Sequence, residues 1–73
     1  MRILQVIETG GPGGAETVFA TLSEALQQRG HQVYCVAPDG TWLPDALHAR
    51  GLTRVRWESA GSLDLALVQR LKT

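Results

Sequence analysis

No internal disulfide is open to this chain, because Cys35 is its only cysteine. The same scarcity of Cys and His removes the clustered ligand sets that a structural metal requires, and a lone thiol fits a reducing compartment. A run of one charge sign is missing as well. Seven basic and seven acidic side chains cancel. Arg29, Arg50, Arg54, Arg56, Arg70 and Lys72 are dispersed, and only Arg54 and Arg56 share an expected strand. Charge so balanced gives no footing for nucleic acid or an anionic membrane as the main partner. No apolar stretch nears the roughly 18–20 residues that span a bilayer, and residues 1–8 are interrupted too soon for a secretory leader. The expectation is a soluble, cytoplasmic chain.

What is present is a regular alternation of patterns. Residues 2–8 form a short β-branched apolar run, read as a first strand. Thr9-Gly10-Gly11-Pro12-Gly13-Gly14 is a loop. From Ala15 the spacing turns helical, with Ala15, Val18, Phe19, Leu22 and Leu26 on an expected inner face and Glu16, Ser23, Glu24, Gln27 and Gln28 opposite. Gly30 is the expected stop. Residues 32–37 read as a second strand, 43–50 as a short helix closed by Gly51, and 52–57 as a third, edge strand. Ser62 is the expected N-cap of a last helix over residues 63–72.

The order βαβαβα calls for an α/β fold with a parallel sheet and right-handed crossovers, a partial doubly wound, Rossmann-like domain. Residues 1–73 then read as one incomplete domain. Its first two helices share a face and its last helix starts a crossover to a fourth strand expected outside the chain. A core this small is marginal alone, so the rest of its own polypeptide is the expected partner; a small three-stranded domain that dimerises is the alternative.

Residues 10–16 are where chemistry is expected, since they join a strand's carboxyl end to a helix N-terminus, the ligand edge of open α/β sheets. Glycines let a ligand approach the backbone, free amides and the helix dipole favour phosphate, and Pro12 stiffens the loop. The dinucleotide pattern fails, because counting from Gly11 its third glycine falls on Glu16 and from Gly10 its second falls on Pro12. The P-loop fails because the helix opens Ala15-Glu16-Thr17 without lysine. A tight turn without a ligand is the plain alternative.

Elsewhere the residues read as structural. His31 is a turn residue, His48 sits on an exposed helix face, and Cys35 alternates with apolar neighbours as a buried, inert thiol. Asp39 ends the second strand where a ribose could be held, though turn formation explains it equally. Trp42 and Trp57 suit either packing or an acceptor groove. No nucleophile–base pair, catalytic residue or metal set can be assembled.

Arg2-Ile3-Leu4-Gln5-Val6-Ile7, Gly-Gly-Pro-Gly-Gly-Ala-Glu at 10–16 and Arg29-Gly30-His31-Gln32-Val33 together resemble the opening of family 4 glycosyltransferases, over residues 2–57. The resemblance implies the N-terminal portion of a GT-B enzyme, two Rossmann-like domains across a cleft. Such enzymes transfer a hexosyl group from a nucleotide diphosphate sugar with retention and without a metal or other cofactor. It implies that Gly13 and Gly14 contact the donor diphosphate through their backbone while Gly10 and Gly11 shape the loop. The acceptor, on the N-terminal side, would be a saccharide, a lipid-linked saccharide or a small molecule, with peripheral membrane association of the whole protein compatible with the second. The family's donor-binding C-terminal domain has no counterpart here, so the chain alone is expected to be inactive. The alternative from another class is a stand-alone half-Rossmann module that binds phosphate or a partner without catalysis.

Overall fold

A computed structural model describes residues 1–71. Strand β1 (Arg2–Ile7) leads into helix α1 (Gly14–Gln28), strand β2 (Gln32–Val36), helix α2 (Trp42–Ala49), strand β3 (Thr53–Arg54), the single-turn helix α3 (Trp57–Ala60) and strand β4 (Leu67–Leu71). All strands are parallel, in the order β3-β2-β1-β4. The α/β, Rossmann-like reading and the order of the first five elements stand.

Both long connections end as their sequences require. After α1, Gly30 takes a φ of +94°, its N–H donates to Gln27, and the His31 N–H donates to Leu26. After α2, Gly51 takes +71°, its N–H donates to His48, and the Leu52 N–H donates to Leu47. This is the paired closure that releases a chain from a helix through a left-handed glycine, and it turns each helix straight back into the sheet.

Three expectations are corrected. The last helix over 63–72 does not form in the described residues, and Ser62 caps nothing: its hydroxyl donates back to the Ser59 carbonyl. Leu67–Leu71 is instead the fourth strand, lying beside β1 with Ile3 opposite Leu67 and Ile7 opposite Leu71. The Ala66 N–H opens this edge on the Arg2 carbonyl at 2.9 Å. Leu67, Val68 and Leu71 fit a helical stripe and a strand equally well, and the open edge of β1, with its unpaired backbone groups, decides between them. Lys72 lies outside the described residues.

The third strand is shorter than 52–57. The Val55 N–H makes the last sheet bond, to the Cys35 carbonyl at 2.8 Å, after which Arg56 N-caps α3 and Trp57 begins it.

Helix α1 is also rotated from its expected phase. Glu16, Phe19, Ala20 and Ser23 are buried, while Val18 is 57% and Leu22 38% exposed. The small Ala20 and Ser23 let the helix lie close on the sheet, and Glu16 finds a hydrogen-bond donor inside, so polar residues take the inner stripe.

The first two helices share a face as expected, whereas the other face is covered by Trp57–Ala60 and not by a helix over 63–72. Helices α1 and α2 cover one side, around Ile7, Phe19, Val33, Cys35, Leu43 and Leu47. On the other side α3 covers Leu4 and Val6 through Ala60, with Val36, Val55 and Leu65 packed around them. Strand β1, paired on both edges and buried from Ile3 to Ile7, is the spine of the sheet.

Candidate functional site

The glycine loop leaves the carboxyl end of β1 and enters α1 through Gly13, which N-caps the helix in an extended conformation. The first intrahelical bond runs from the Thr17 N–H to the Gly13 carbonyl at 3.0 Å, and the Thr17 hydroxyl donates to the same oxygen at 2.9 Å. The amides of Gly14, Ala15 and Glu16 therefore precede the helical ladder, and no side chain caps them. They carry the positive end of the helix dipole. Gly13 and Gly14 are exposed at this point, and Gly10 is buried beneath them.

The loop is shaped by its neighbours more than by its own flexibility. A Cβ on Gly10 would overlap the Thr41 side chain, just ahead of α2. The Leu43 N–H, in the first turn of α2, donates to the Gly10 carbonyl at 3.0 Å, so α2 holds the base of the loop. Gly11 adopts a φ of +52°, and a Cβ there would lie 2.9 Å from Glu16 Cγ. A Cβ on Gly13 would lie 2.7 Å from Glu16 Oε1. Gly14 has open space around its Cβ position. The Gly11–Pro12 peptide is cis.

Glu16 is the residue that sequence reasoning misplaced. It is 5% exposed and bends back under the loop, where the Thr9 hydroxyl donates to Oε2. Its carboxylate fills the room that side chains at 11 and 13 would need. A signal was present: Glu16 stands three residues after the N-cap, the position from which a glutamate reaches back over a helix start.

The other expected residues stay apart from the loop chemistry. Asp39 pairs with Arg54, whose Nη2 also donates to the Ala37 carbonyl at 2.9 Å. That guanidinium, with Arg56 further off, holds the Asp39 carboxyl below its ordinary value. The Met1 amino group meets His31 Nδ1 at 3.1 Å, and His48 is exposed on α2. Cys35 is fully buried, and burial pushes its thiol up to about 11; Ser23 lies against it and offsets part of the rise without reaching hydrogen-bonding geometry. Trp42 and Trp57 are both partly exposed, and Arg70 stands 5.0 Å over the Trp57 ring. Among the described residues no group of three His, Cys, Asp or Glu could hold a metal, and no helix is long and apolar enough to cross a membrane.

The loop thus presents exposed backbone donors at a helix N-terminus, with the buried Glu16 carboxylate, held by Thr9, beneath them. Compared with known proteins, residues 12–73 match the family model described as Glycosyltransferase Family 4. The match begins at Pro12, so Gly13, Gly14 and Glu16 fall inside it. No curated protein and no solved structure matches.

Proposed function

The chain belongs to glycosyltransferase family 4, and from that premise we propose that it is the N-terminal, acceptor-side part of a retaining, metal-independent hexosyltransferase. The donor is a nucleotide diphosphate sugar and the acceptor a saccharide, free or lipid-linked, or a small molecule. The work is cytoplasmic glycan synthesis. Residues supplied by the rest of the polypeptide hold the nucleotide, so this chain alone does not transfer sugar.

One observation carries the donor assignment: an uncapped helix N-terminus, on exposed glycines, at the carboxyl end of the central strand of a parallel sheet. Gly13 and Gly14 offer their amides to the diphosphate, and Gly10 and Gly11 give the loop its path. Negative charge grows on the diphosphate as the glycosidic bond breaks. Fixed N–H donors stabilise that charge without having to reorganise.

Amide-resolved NMR titration of the chain with UDP, and separately with inorganic pyrophosphate, tests the reading. Saturable shifts at Gly13, Gly14 and Ala15 with both ligands are expected. Shifts confined to other elements, or none at millimolar ligand, would remove the donor site from this loop.

A further inference from the structure

The glycine loop rests on two supports, and only one of them is its own helix. Gly10, where the loop leaves β1, is buried, whereas Gly11 to Gly14 are exposed. The start of α2 closes over it. The Leu43 N–H donates to the Gly10 carbonyl at 3.0 Å, and the Thr41 side chain occupies the place that a Cβ on Gly10 would take.

Thr41 stands at the N-cap of α2 without capping it. A capping hydroxyl accepts from the second or third amide of its helix. Here the second, Leu43, is given to Gly10, and the third belongs to Pro44, which has no N–H. The Thr41 hydroxyl donates instead to the Pro38 carbonyl at 2.7 Å. Pro38 is held in turn. Arg54 Nη2 donates to the Ala37 carbonyl at 2.9 Å on one side of it and pairs with the Asp39 carboxylate on the other. Contacts therefore run without a gap from β3, through the turn at residues 37–41, to the first glycine of the loop.

We propose that Thr41 is a positioning residue for the diphosphate seat: oriented by the Pro38 carbonyl, it fixes where Gly10 stands and so where the Gly13 and Gly14 amides point. The inference rests on the reading that this loop holds the donor diphosphate. Thr41 acts through Gly10, not on the ligand, and Arg54 acts through Thr41. A run of glycines has much conformational freedom to lose, and donors fixed before a ligand arrives spare it the cost of ordering them. Glu16 supports the loop at Gly11 and Gly13. Gly10 lies at the other end, and its wedge comes from Thr41. The bond to Pro38 selects the Thr41 rotamer that lies against Gly10, and without it the alternatives open.

The test compares pyrophosphate affinity, loop order and stability in the chain and its Thr41 variants, by NMR titration, amide nitrogen relaxation and urea unfolding. Thr41→Ser keeps the hydroxyl and should bind like the parent. Thr41→Val keeps the shape and loses the hydroxyl. It should weaken pyrophosphate binding about three- to tenfold, the factor expected when one more group must be ordered on binding. The ligand-free amides of Gly10, Gly11 and Gly13 should become more mobile in the same variant. Arg50→Gln breaks the pair with Glu24 at the far end of α2 and controls for lost stability alone; it should bind like the parent. The double variant Asp39→Asn/Arg54→Gln removes the outer step at unchanged net charge and should weaken binding by a smaller factor. It carries the test if Thr41→Val does not fold. The inference is overturned if the variant that carries the test binds as tightly as the parent, if Thr41→Ser and Thr41→Val weaken binding alike, or if Arg50→Gln weakens it as much. In each of those events the parent's own response at Gly13 and Gly14 leaves the donor site standing. A parent chain whose Gly13 and Gly14 amides ignore pyrophosphate removes the donor site and this inference together.

Discussion

The Thr9 hydroxyl donates to the Glu16 carboxylate, joining the last turn out of β1 to the first turn of α1 from beneath the glycines. This contact holds Glu16 where side chains at Gly11 and Gly13 would have to go, while Gly10 is closed off by Thr41 and Gly14 stands open. The proposed phosphate seat has a carboxylate inside it, which sets shape against charge, and substitution separates the two. Glu16→Gln keeps the volume and an oxygen for Thr9 but removes the charge. It should bind pyrophosphate at least as tightly as the parent. Glu16→Ala leaves the loop unsupported and should bind several-fold more weakly and lose about 1–3 kcal/mol of stability, as when a buried hydrogen-bonded group is deleted. Calorimetric titration and urea unfolding read the two effects. Weaker binding by the Gln variant would mean that the charge itself is needed.

The glycines should rank by their surroundings. Gly14→Ala meets open space in a helical first turn and is expected to be neutral or to gain up to about 1 kcal/mol. Gly11→Ala places a side chain at positive φ and against Glu16, and should lose at least about 1–2 kcal/mol. Gly10→Ala drives a methyl into Thr41 and should lose about 1–3 kcal/mol. Adding Thr41→Gly to Gly10→Ala should restore part of that loss, because the two sites share one contact. Thermal unfolding of the four variants is the check.

Gln5 on β1 is fully buried, between Cys35 and Gln69 in register, with both amide atoms unpartnered. Burying an amide without a partner costs about 1–3 kcal/mol. Gln5→Met, of similar volume, is therefore expected to raise stability by about that amount, read as a higher urea midpoint at unchanged m-value.

Cys35 makes stability fall at high pH. Its folded thiol is raised from 9.0 to about 11, so between those values the unfolded chain gives up a proton that the folded chain keeps. The folded state then binds more protons, and stability declines through that window by on the order of 2 kcal/mol. Cys35→Ala should abolish this part of the decline. The native thiol should also resist alkylation at pH 8, reacting only as the chain opens.

Asp39 acts at the other end of the scale. Its carboxyl is lowered by Arg54, so its contribution is present above the ordinary unfolded value of 3.8 and is lost as pH falls through the lower folded value. Asp39→Asn should differ from the parent above that window and converge with it below, the difference being small because Asp39 is exposed.

The first four elements were legible because each is bounded by glycine or proline and has one dominant period. The glycine loop was legible for the same reason, since residues 10–14 interrupt a strand and precede a helix. Strand β4 was not, because Leu67, Val68 and Leu71 suit either period and only the neighbouring edge of β1 selects one. The phase of α1 was misread because apolarity was taken as the guide, whereas Thr9 satisfies Glu16 inside and small residues are needed where helix and sheet approach. Trp57 was legible as a packing or groove residue, but its partner was not: Arg70 reaches it only because β4 pairs with β1.

Strand β1 is hydrogen-bonded along both edges and packed on both sides. At the proposed seat, a ligand is therefore expected to rearrange the span from Glu8 to Gly14 and not the strand, which stands as a fixed anvil beneath the turn.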